Sequence, residues 1–290
     1  MANRRVLVKR RKAVRNIRKI TRTMQLIATA RFQAAFNRAM ATKPFTKKLA
    51  EMAADLSRAA GNVRHPLLET NDARRSVLLV LTSNRGLAGG YNANVLRSAV
   101  EHLDRQTAGG IATDVHMVGK KGVSFFKFLR RPMTEQTTTI SDKPRFDQVE
   151  PIANALMDRF IRGEISSVHV AYMRFLSAGS QRPEVVQLLP LKPPAAEGGV
   201  GPKAVVDYEF SPDPQQLLDD LLPTTVRVLL FQAFNDATVS EQVARMVAMK
   251  AATDAAGDMI KSLTREYNRA RQTQITMELL DIVGGANALA

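Results

Sequence analysis

The sequence predicts an α/β protein combined with a coiled coil. Long N- and C-terminal helices are expected to form an antiparallel coiled coil, and a central α/β domain of largely parallel sheet lies between them in the chain. Apolar residues recur at steps of three and four at both ends of the sequence. The middle instead alternates β-branched runs with helix-compatible stretches. We therefore divide the chain into a helix at 1–60, a domain at 70–210 and a helix at 211–290.

The N-terminal helix is predicted from a seam of apolar residues with coiled-coil spacing. The members of this seam are Val14, Ile17, Ile20, Met24 and Ile27. Glycine is absent before residue 61, and Pro44 is the only residue expected to kink the helix. Residues 61–66 combine Gly, Asn and His-Pro, which together form a helix stop signal.

The central domain is predicted from its alternation of strands and helices. Runs rich in β-branched and apolar residues predict strands at 76–82, 115–118, 168–172, 185–189 and 205–210. Helix-compatible stretches lie between them at 94–103 and 149–161. Residues 192–202 are rich in Pro and Gly and predict an exposed loop. Such alternation is typical of a parallel sheet with helical connections.

The C-terminal helix carries a second seam, which can cover the first. Its members step by three or four residues and are Val243, Met246, Met249, Thr253, Ala256, Ile260, Leu263, Tyr267 and Ala270. Ser211 is a plausible N-cap, followed by proline in the first turn. Pro223 is expected to bend or restart the helix near Asp219. Gly284 and Gly285 are expected to end it.

Positive charge is concentrated at the N-terminal end. Residues 1–50 contain 15 Lys plus Arg and no acidic residue, which equals the net charge of +15 of the whole chain. The remaining residues balance, with 27 basic and 27 acidic side chains. A basic segment of this kind requires an acidic partner, which can be nucleic acid, anionic lipid or an acidic protein surface. No apolar run approaches the ~20 residues that span a bilayer.

Composition and motifs argue against several kinds of site. The chain has no cysteine, which excludes disulfides, thiolate nucleophiles and cysteine-bound metals. Its four histidines are far apart, and none has a partner at metal-ligand spacing. No catalytic motif such as GxSxG or HExxH is present. We therefore predict no catalytic residue, no metal site and no cofactor-binding residue.

A glycine-rich loop at 83–92 follows the first predicted strand and precedes a helix. Such loops can bind phosphate through backbone N–H groups, but no Lys-Ser/Thr follows, and the glycine spacing is not GxGxxG. We interpret the loop as a structural turn built on Arg85, Gly86, Gly89 and Gly90. An enzyme that uses this loop for a phosphorylated ligand stays an alternative. The basic segment at residues 1–50 leaves a second alternative open, a basic coiled-coil nucleic-acid-binding protein. Its cations, however, alternate with aliphatic rather than aromatic residues.

Three stretches of the sequence resemble the γ subunits of F-type ATP synthases. Residues 19–31 read KITRTM and, two residues later, IATAR. The turn at 83–90 reads SNRGLAGG and is similar to the family's glycine-rich signature. Near the C-terminus, 245–256 reads RMVAMKAATDAA, 267–272 reads YNRARQ, and ITME and IVGGA follow at 275–278 and 282–286. The resemblance extends over nearly the whole chain.

This resemblance implies a role as the central rotor shaft and not as a catalyst. It implies an antiparallel coiled coil inside a ring of α and β subunits, with the ε subunit and a membrane c-ring as further partners and no nucleic acid. Contacts with β are implied for Lys19, Arg22, Met24, Arg245, Gln272, Thr276 and Glu278. No cofactor is expected on this chain, since ATP, ADP and Mg²⁺ would bind at the α and β subunits. A peripheral position at the cytoplasmic face of a bacterial inner membrane is expected.

Overall fold

The computed structural model describes residues 4–59, 65–191 and 214–289. Within these ranges the chain alternates helices and strands. The elements are α1 (Arg4–Ala59), β1 (Arg75–Leu81), α2 (Tyr91–Ala108), β2 (Ala112–Val118), α3 (Lys120–Phe128), β3 (Glu135–Thr137), α4 (Phe146–Ile161), β4 (Ser167–Ser177), β5 (Ser180–Leu189) and α5 (Pro214–Leu289). The predicted combination of two long terminal helices with a central α/β sheet is confirmed.

The chain divides into two compact units, and each contains a part of both long helices. The coil unit consists of Met1–Ala30 with Arg245–Ala290, and the α/β unit consists of Arg31–Ala244. The division at 1–60, 70–210 and 211–290 stays a prediction.

The sheet of the α/β unit has the strand order β3-β2-β1-β4-β5. β1 lies at its centre and pairs in parallel with β2 and with β4, with Leu78 opposite both Val115 and His169. β3 extends the sheet in parallel beyond β2, whereas β5 returns antiparallel to β4. All residues of β1 after Arg75 are buried, which explains its continuous apolar composition. The predicted, largely parallel sheet is therefore confirmed.

Alternate residues of the central strand serve two cores, because successive side chains point to opposite faces of a sheet. On one face, Val77 and Leu79 pack in a core with residues of α4 and α5, among them Leu156. On the other face, Leu78 packs in a core with residues of α2 and α3, including the fully buried Phe126. The sheet is thus covered on both sides.

The two long helices also pack on each other within the α/β unit. Ala35 and Ala39 of α1 share a small core with Val239 and Val243 of α5, and Phe175 of β4 joins them. Small residues on α1 allow the helices to approach closely at this point.

Helix α5 is longer and more continuous than the sequence predicted. The expected restart near Asp219 is wrong, since one helix includes Pro223. Proline removes the backbone donor that would bond the Asp219 carbonyl, but Leu222 and Val226 on either side of it are buried in the core of the α/β unit. This packing keeps the helix continuous through the proline.

The predicted helix end at Gly284 and Gly285 is also wrong, because α5 continues to Leu289. A glycine inside a helix costs only about 1 kcal/mol relative to alanine. α1 likewise continues through Pro44 and ends at Ala59, beside the predicted stop signal. The expected strand at 205–210, the loop at 192–202 and the N-cap Ser211 lie outside the described residues.

Candidate partner-binding surface

In the coil unit, the buried face of α1 differs from the predicted seam. Leu7, Thr21 and Ala28 are buried, at 3%, 9% and 1% exposure, and are seven or fourteen residues apart. By contrast, Ile17 and Ile20 are 51% and 59% exposed. Val14, which continues the spacing of Leu7, Thr21 and Ala28, is half-buried, as is Met24. The predicted seam is therefore correct at Val14 and Met24 and wrong at the isoleucines, and small and polar residues share the buried face with Leu7.

The seam predicted on α5 is confirmed within the coil unit. Met249, Thr253, Ala256 and Leu263 are buried, and the positions that continue the same spacing are half-buried. Beyond residue 270 this helix is exposed on all sides up to residue 287. Each helix thus presents one narrow stripe to the other.

Specific side-chain contacts fix the antiparallel pairing of the coil unit. The Thr253 hydroxyl donates to the Thr21 hydroxyl oxygen at 2.9 Å, in a buried position. Further along, the guanidinium of Arg11 lies 5.0 Å from the centre of the Tyr267 ring, a cation–π contact. Position 21 pairs with 253 and position 11 with 267, so one helix ascends as the other descends.

A glycine allows an arginine to cross this interface. A Cβ built on Gly257 would lie 3.8 Å from Nε of Arg18, which shows that the Arg18 side chain extends over the glycine. With the buried threonine pair and the small alanines, this makes the interface thin and only partly apolar. Such a coil has much surface left for contact with surrounding protein.

That free surface is apolar and basic together. Ile17, Ile20 and Ile27 form an exposed apolar stripe on α1. The exposed cations Lys19 and Arg22 lie beside it in sequence, and no acidic residue occurs before residue 51. We define Ile17, Ile20, Ile27 and their basic neighbours as the partner-binding surface. Its chemistry fits an acidic protein surface that carries some apolar side chains.

The structure places all seven predicted contact residues in the coil unit. On α1, Lys19 and Arg22 are exposed, and Met24 is half-buried. Arg22 donates from Nη1 to Oε1 of Gln25 at 3.2 Å, which directs its guanidinium along the helix. Lys19, Arg22 and Met24 therefore lie within two turns of one helix, next to the exposed isoleucines.

The predicted contacts on α5 lie in two environments. Gln272, Thr276 and Glu278 are exposed, and the Thr276 hydroxyl donates to the backbone carbonyl of Gln272 at 3.0 Å. Glu278 accepts from Nε2 of Gln274 at 2.8 Å. Arg245, in contrast, is only 6% exposed, so it presents little surface in the single chain. That these residues contact a β subunit stays a prediction.

The glycine-rich loop forms a turn that its own side chains close. Oδ1 of Asn92 accepts from the Ser83 backbone N–H at 2.9 Å. Nδ2 of Asn84 donates to the carbonyl of Ile140 at 2.8 Å, and its Oδ1 accepts from the Lys120 N–H at 3.1 Å. The loop thus connects the ends of β1 and β2 to the segment before α4.

The backbone of this loop explains part of its glycine content. Gly89 has φ of 54°, in the left-handed region that glycine adopts freely. Leu87 also has a positive φ, 62°, and is 61% exposed, which the sequence did not predict. Gly90 has φ of −82° and immediately precedes α2. The interpretation of the loop as a structural turn is supported at Gly89.

The cavity at the carboxyl ends of β1 and β2 is small. In a parallel sheet this is the usual place for a ligand. Here the cavity measures only about 40 Å³. Phe234 and Glu241 of α5, and Asp142 of the loop between β3 and α4, fill part of the space and form its wall. Pockets that hold cofactors or nucleotides are typically 300–1,000 Å³.

The described residues contain neither a cluster of metal ligands nor a membrane-spanning helix. Among residues 4–59, 65–191 and 214–289, no three His, Asp or Glu side chains are grouped so as to hold a metal ion. No helix in the same ranges is both long and apolar enough to cross a membrane.

Comparisons with known proteins agree with this geometry. A family model described as ATP synthase matches residues 3–289. The ATP synthase gamma chain of Rhodopirellula baltica is 44% identical over 298 residues, which cover 100% of this chain and 99% of the relative. The gamma chain of Leptospira biflexa is 39% identical over 293 residues, covering 100% of both chains.

A solved structure shares the fold. A chain of the Euglena gracilis mitochondrial ATP synthase, solved by cryo-electron microscopy as OSCP/F1/c-ring in rotational state 3, aligns with a TM-score of 0.67 at 17% identity. The alignment covers 99% of this chain and 94% of the Euglena chain. Two seams on long helices, a central parallel sheet and full-length relatives thus agree, and the chain belongs to the family of ATP synthase gamma chains.

Proposed function

We propose that the chain is the central rotor shaft of a bacterial F-type ATP synthase. It couples the proton-driven rotation of a membrane c-ring to the conformational cycle of the catalytic β subunits, which make ATP. The antiparallel pairing of α1 with α5 in the coil unit is the observation that carries this proposal. Two long helices held together along a seam transmit torque, which a single helix or a flexible linker would not.

The surface chemistry of the coil unit suits a shaft that turns inside a ring. Strong apolar contacts would hold the rotor at one angle. A thin interface with exposed cations instead gives a longer-range attraction to acidic loops, with no fixed partner atom. This attraction is screened by salt, since the Debye length is about 8 Å at physiological ionic strength.

We propose that the chain itself is not catalytic and binds no nucleotide. ATP, ADP and Mg²⁺ would bind at the α and β subunits. The glycine-rich turn supports this view, because Asn92 occupies its first backbone donor, that of Ser83. The cavity of about 40 Å³ beside it is far smaller than a nucleotide requires.

The partners follow from the same proposal. A ring of α and β subunits would surround the coil unit, with Lys19, Arg22, Met24, Arg245, Gln272, Thr276 and Glu278 as contacts to β. The α/β unit would contact the ε subunit and the c-ring. The chain would lie at the cytoplasmic face of the inner membrane as a peripheral subunit. The family assignment does not support the alternative of a nucleic-acid-binding coiled coil.

Rotation of single purified complexes tests the proposal directly. Because the chain has no cysteine, Ala108→Cys at the exposed end of α2 gives this subunit one attachment point for a bead or a gold particle. With the α and β subunits fixed to glass, ATP should drive rotation of the particle in one direction. Complexes that hydrolyse ATP while the particle stays still would contradict a rotor role.

Complexes assembled without the chain are the second arm of this experiment. If the chain couples rotation to catalysis, membranes that lack it should hydrolyse ATP without pumping protons and should make no ATP. ATP synthesis at the normal rate without this chain would exclude the proposed function.

A further inference from the structure

An exposed aromatic side chain lies at the C-terminal end of α3 in the α/β unit. Phe128 is 82% exposed, more than any other large hydrophobic side chain among the described residues. Phe126 of the same helix is fully buried in the core on that side of the sheet. Because two residues correspond to about 200° of helical rotation, Phe128 lies on the side of α3 that faces away from this core. The packing of the fold therefore does not explain a phenylalanine at position 128.

The backbone reverses sharply just after this residue. The N–H groups of Arg130 and Arg131 donate to the carbonyl oxygens of Lys127 and Phe126, at 3.1 and 3.0 Å, which is the Schellman arrangement of a helix end. Arg130 has a φ of 55°, in the left-handed region where glycine is the usual residue at this position. An arginine thus occupies a position that strains its own backbone. Such conformations occur mainly where function requires the side chain.

The end of α3 carries positive charge that carboxylates do not match. Residues 115–134 include five Lys plus Arg and no acidic residue. Asp104 of α2 lies at this end of α3, but its Oδ1 is already paired with Nη2 of Arg131 at 2.9 Å. Lys127 and Arg130 are exposed, and neither side chain has an ion-pair partner in the part of the chain that the structure describes.

We define residues 127–132 as the α3 tip, in which apolar side chains protrude between these cations. Besides Phe128, Leu129 is 39% exposed. A protein partner would have to supply a fitted pocket for Phe128 together with carboxylates for the cations. The surface of an anionic bilayer supplies both without a preformed pocket, because its phosphate groups lie directly above its acyl chains. The long side chains of Lys and Arg reach such phosphates while their aliphatic parts stay in apolar surroundings.

We propose that the α3 tip docks on the surface of an anionic lipid bilayer. Phe128 inserts between the headgroups, and Lys127 and Arg130 pair with lipid phosphates. A bilayer is fluid, so this contact does not hold a turning subunit at one angle. The inference goes beyond the proposed rotor function, since it concerns a surface that the contacts proposed with β do not use.

Tryptophan fluorescence tests this docking in the full chain. The chain contains no tryptophan, so Phe128→Trp places a single reporter at the tip. The probe is a vesicle of phosphatidylcholine and phosphatidylglycerol, at about 2:1, whose acyl chains carry bromine and quench tryptophan only on close contact. We expect these vesicles to quench the reporter strongly and brominated phosphatidylcholine alone to quench it little.

A second reporter separates the tip from the basic part of α1, which also attracts anionic vesicles. Ala93→Trp is the matched reporter, because Ala93 is exposed in the first turn of α2, at the other end of that helix from Asp104. We expect the Ala93→Trp chain to bind the same vesicles with little quenching. Equal quenching of the two reporters would show non-specific adsorption and would overturn the proposal.

Arg130→Gly separates binding from folding in the Phe128→Trp chain. Glycine adopts a φ of 55° freely, so the thermal midpoint should stay the same or rise. Loss of one cation at the bilayer surface should weaken vesicle binding about fivefold, as measured by quenching against lipid concentration. Lys143→Gln is the matched control, because Lys143 is an exposed cation of the loop before α4. Equal affinities in these two variants would contradict a role for Arg130 at the bilayer.

The assembled enzyme distinguishes lipid from a neighbouring subunit as the partner of the tip. In purified complexes reconstituted into the brominated vesicles, the Phe128→Trp reporter should again be quenched. A reporter that brominated lipid does not quench would overturn the proposal, and protection from dissolved iodide as well would show that another subunit covers the tip. Rotation of the same complexes, measured separately, would still support the rotor function.

Discussion

Single residues determine how closely the backbone packs where β1 and β2 meet α3. A Cβ on Gly119 would lie 2.2 Å from the carbonyl oxygen of Thr82, and φ at Gly119 is 97°. Thr82 also accepts from the Gly122 N–H at 3.0 Å and donates to the Val118 carbonyl at 2.7 Å. Both glycines are therefore required by close contact with one threonine.

We expect Gly122→Ala to destabilise the α/β unit by about 1–3 kcal/mol, the usual range for overpacking. The new Cβ would lie 2.2 Å from Sδ of Met117 and 2.7 Å from Oγ1 of Thr82. Urea unfolding followed by circular dichroism measures the change. Gly109→Ala is the control, because its Cβ would approach no atom closer than 3.4 Å. Equal midpoints for the two variants would contradict this account of Gly122.

The residue scale also offers a test of the partner-binding surface. Met24→Lys adds a cation beside exposed Lys19 and Arg22. Under the proposed contact with β, this cation would strengthen the attraction to acidic side chains at one rotor angle and so raise the barrier to rotation. We expect lower rates of both ATP hydrolysis and ATP synthesis in the assembled complex. Met24→Leu, of similar volume and uncharged, should keep the normal rates. Normal rates in the lysine variant would refute the proposed contact.

At the scale of elements, the sequence predicted the type of each long helix better than its orientation. Two stripes on α1 have heptad spacing, one with Ile17 and Ile20 and another with Thr21 and Ala28. Hydrophobicity favours the first, but the second is buried. Which stripe of α1 is buried depends on the residues that α5 presents to it. Thr253 bonds Thr21, and Gly257 lies under the Arg18 side chain, so polar residues of α1 face α5 there. The sequence of α1 alone does not contain this information, because α5 is distant in the chain.

Short elements and helix ends were the other features that the sequence did not determine. α3 and β3 have only nine and three residues, which is too short for a repeating pattern in the sequence to predict them. Pro223 would end an isolated helix, but in α5 its neighbours Leu222 and Val226 are buried in the core of the α/β unit, and this packing keeps the helix continuous. The buried strands β1, β2 and β4 were predicted because their apolar runs are unambiguous. The site was predicted by resemblance, apart from the exposed isoleucines.

Helix α5 carries a prediction of its own. Gly257→Ala should stabilise the coil unit by about 0.5–1 kcal/mol, because alanine is the better residue in a helix interior. The added methyl group would lie 3.8 Å from Nε of Arg18, an ordinary contact. The measurement is the thermal midpoint of the full chain. Gly257→Leu, which must displace the Arg18 side chain, should instead lower that midpoint, and a higher midpoint for both variants would contradict the close approach.

At the scale of the whole molecule, three histidines make stability depend on pH. Burial lowers the pKa of His65, His102 and His116 below the ordinary 6.5. In the unfolded chain these groups bind protons near pH 6.5, whereas the folded chain binds them only at lower pH. Their contribution to stability is therefore complete above pH 6.5 and is lost as pH falls below it.

We expect the free energy of unfolding to decrease between pH 7.5 and pH 5.5, by at most about 1.4 kcal/mol per pH unit for each histidine. Asp236, whose pKa burial raises, acts in the opposite direction in a window that begins at its ordinary 3.8. Urea unfolding at several pH values measures the slope. His102→Gln should make the dependence of the unfolding free energy on pH less steep, because one of the three contributing histidines is removed. A slope that is the same with and without His102 would contradict this assignment.

The pairing of Thr21 with Thr253 also has a consequence for biosynthesis. The two residues are 232 positions apart in the chain. A ribosome that adds about 5–20 residues per second needs on the order of 10–50 s to cover that distance. The sheet is complete once β5 ends at Leu189, long before the second half of the coil has been translated. A chain terminated just after Ala244 would therefore carry the whole α/β unit together with an α1 whose first part has no partner helix, which distinguishes it from the finished product for chaperones and proteases.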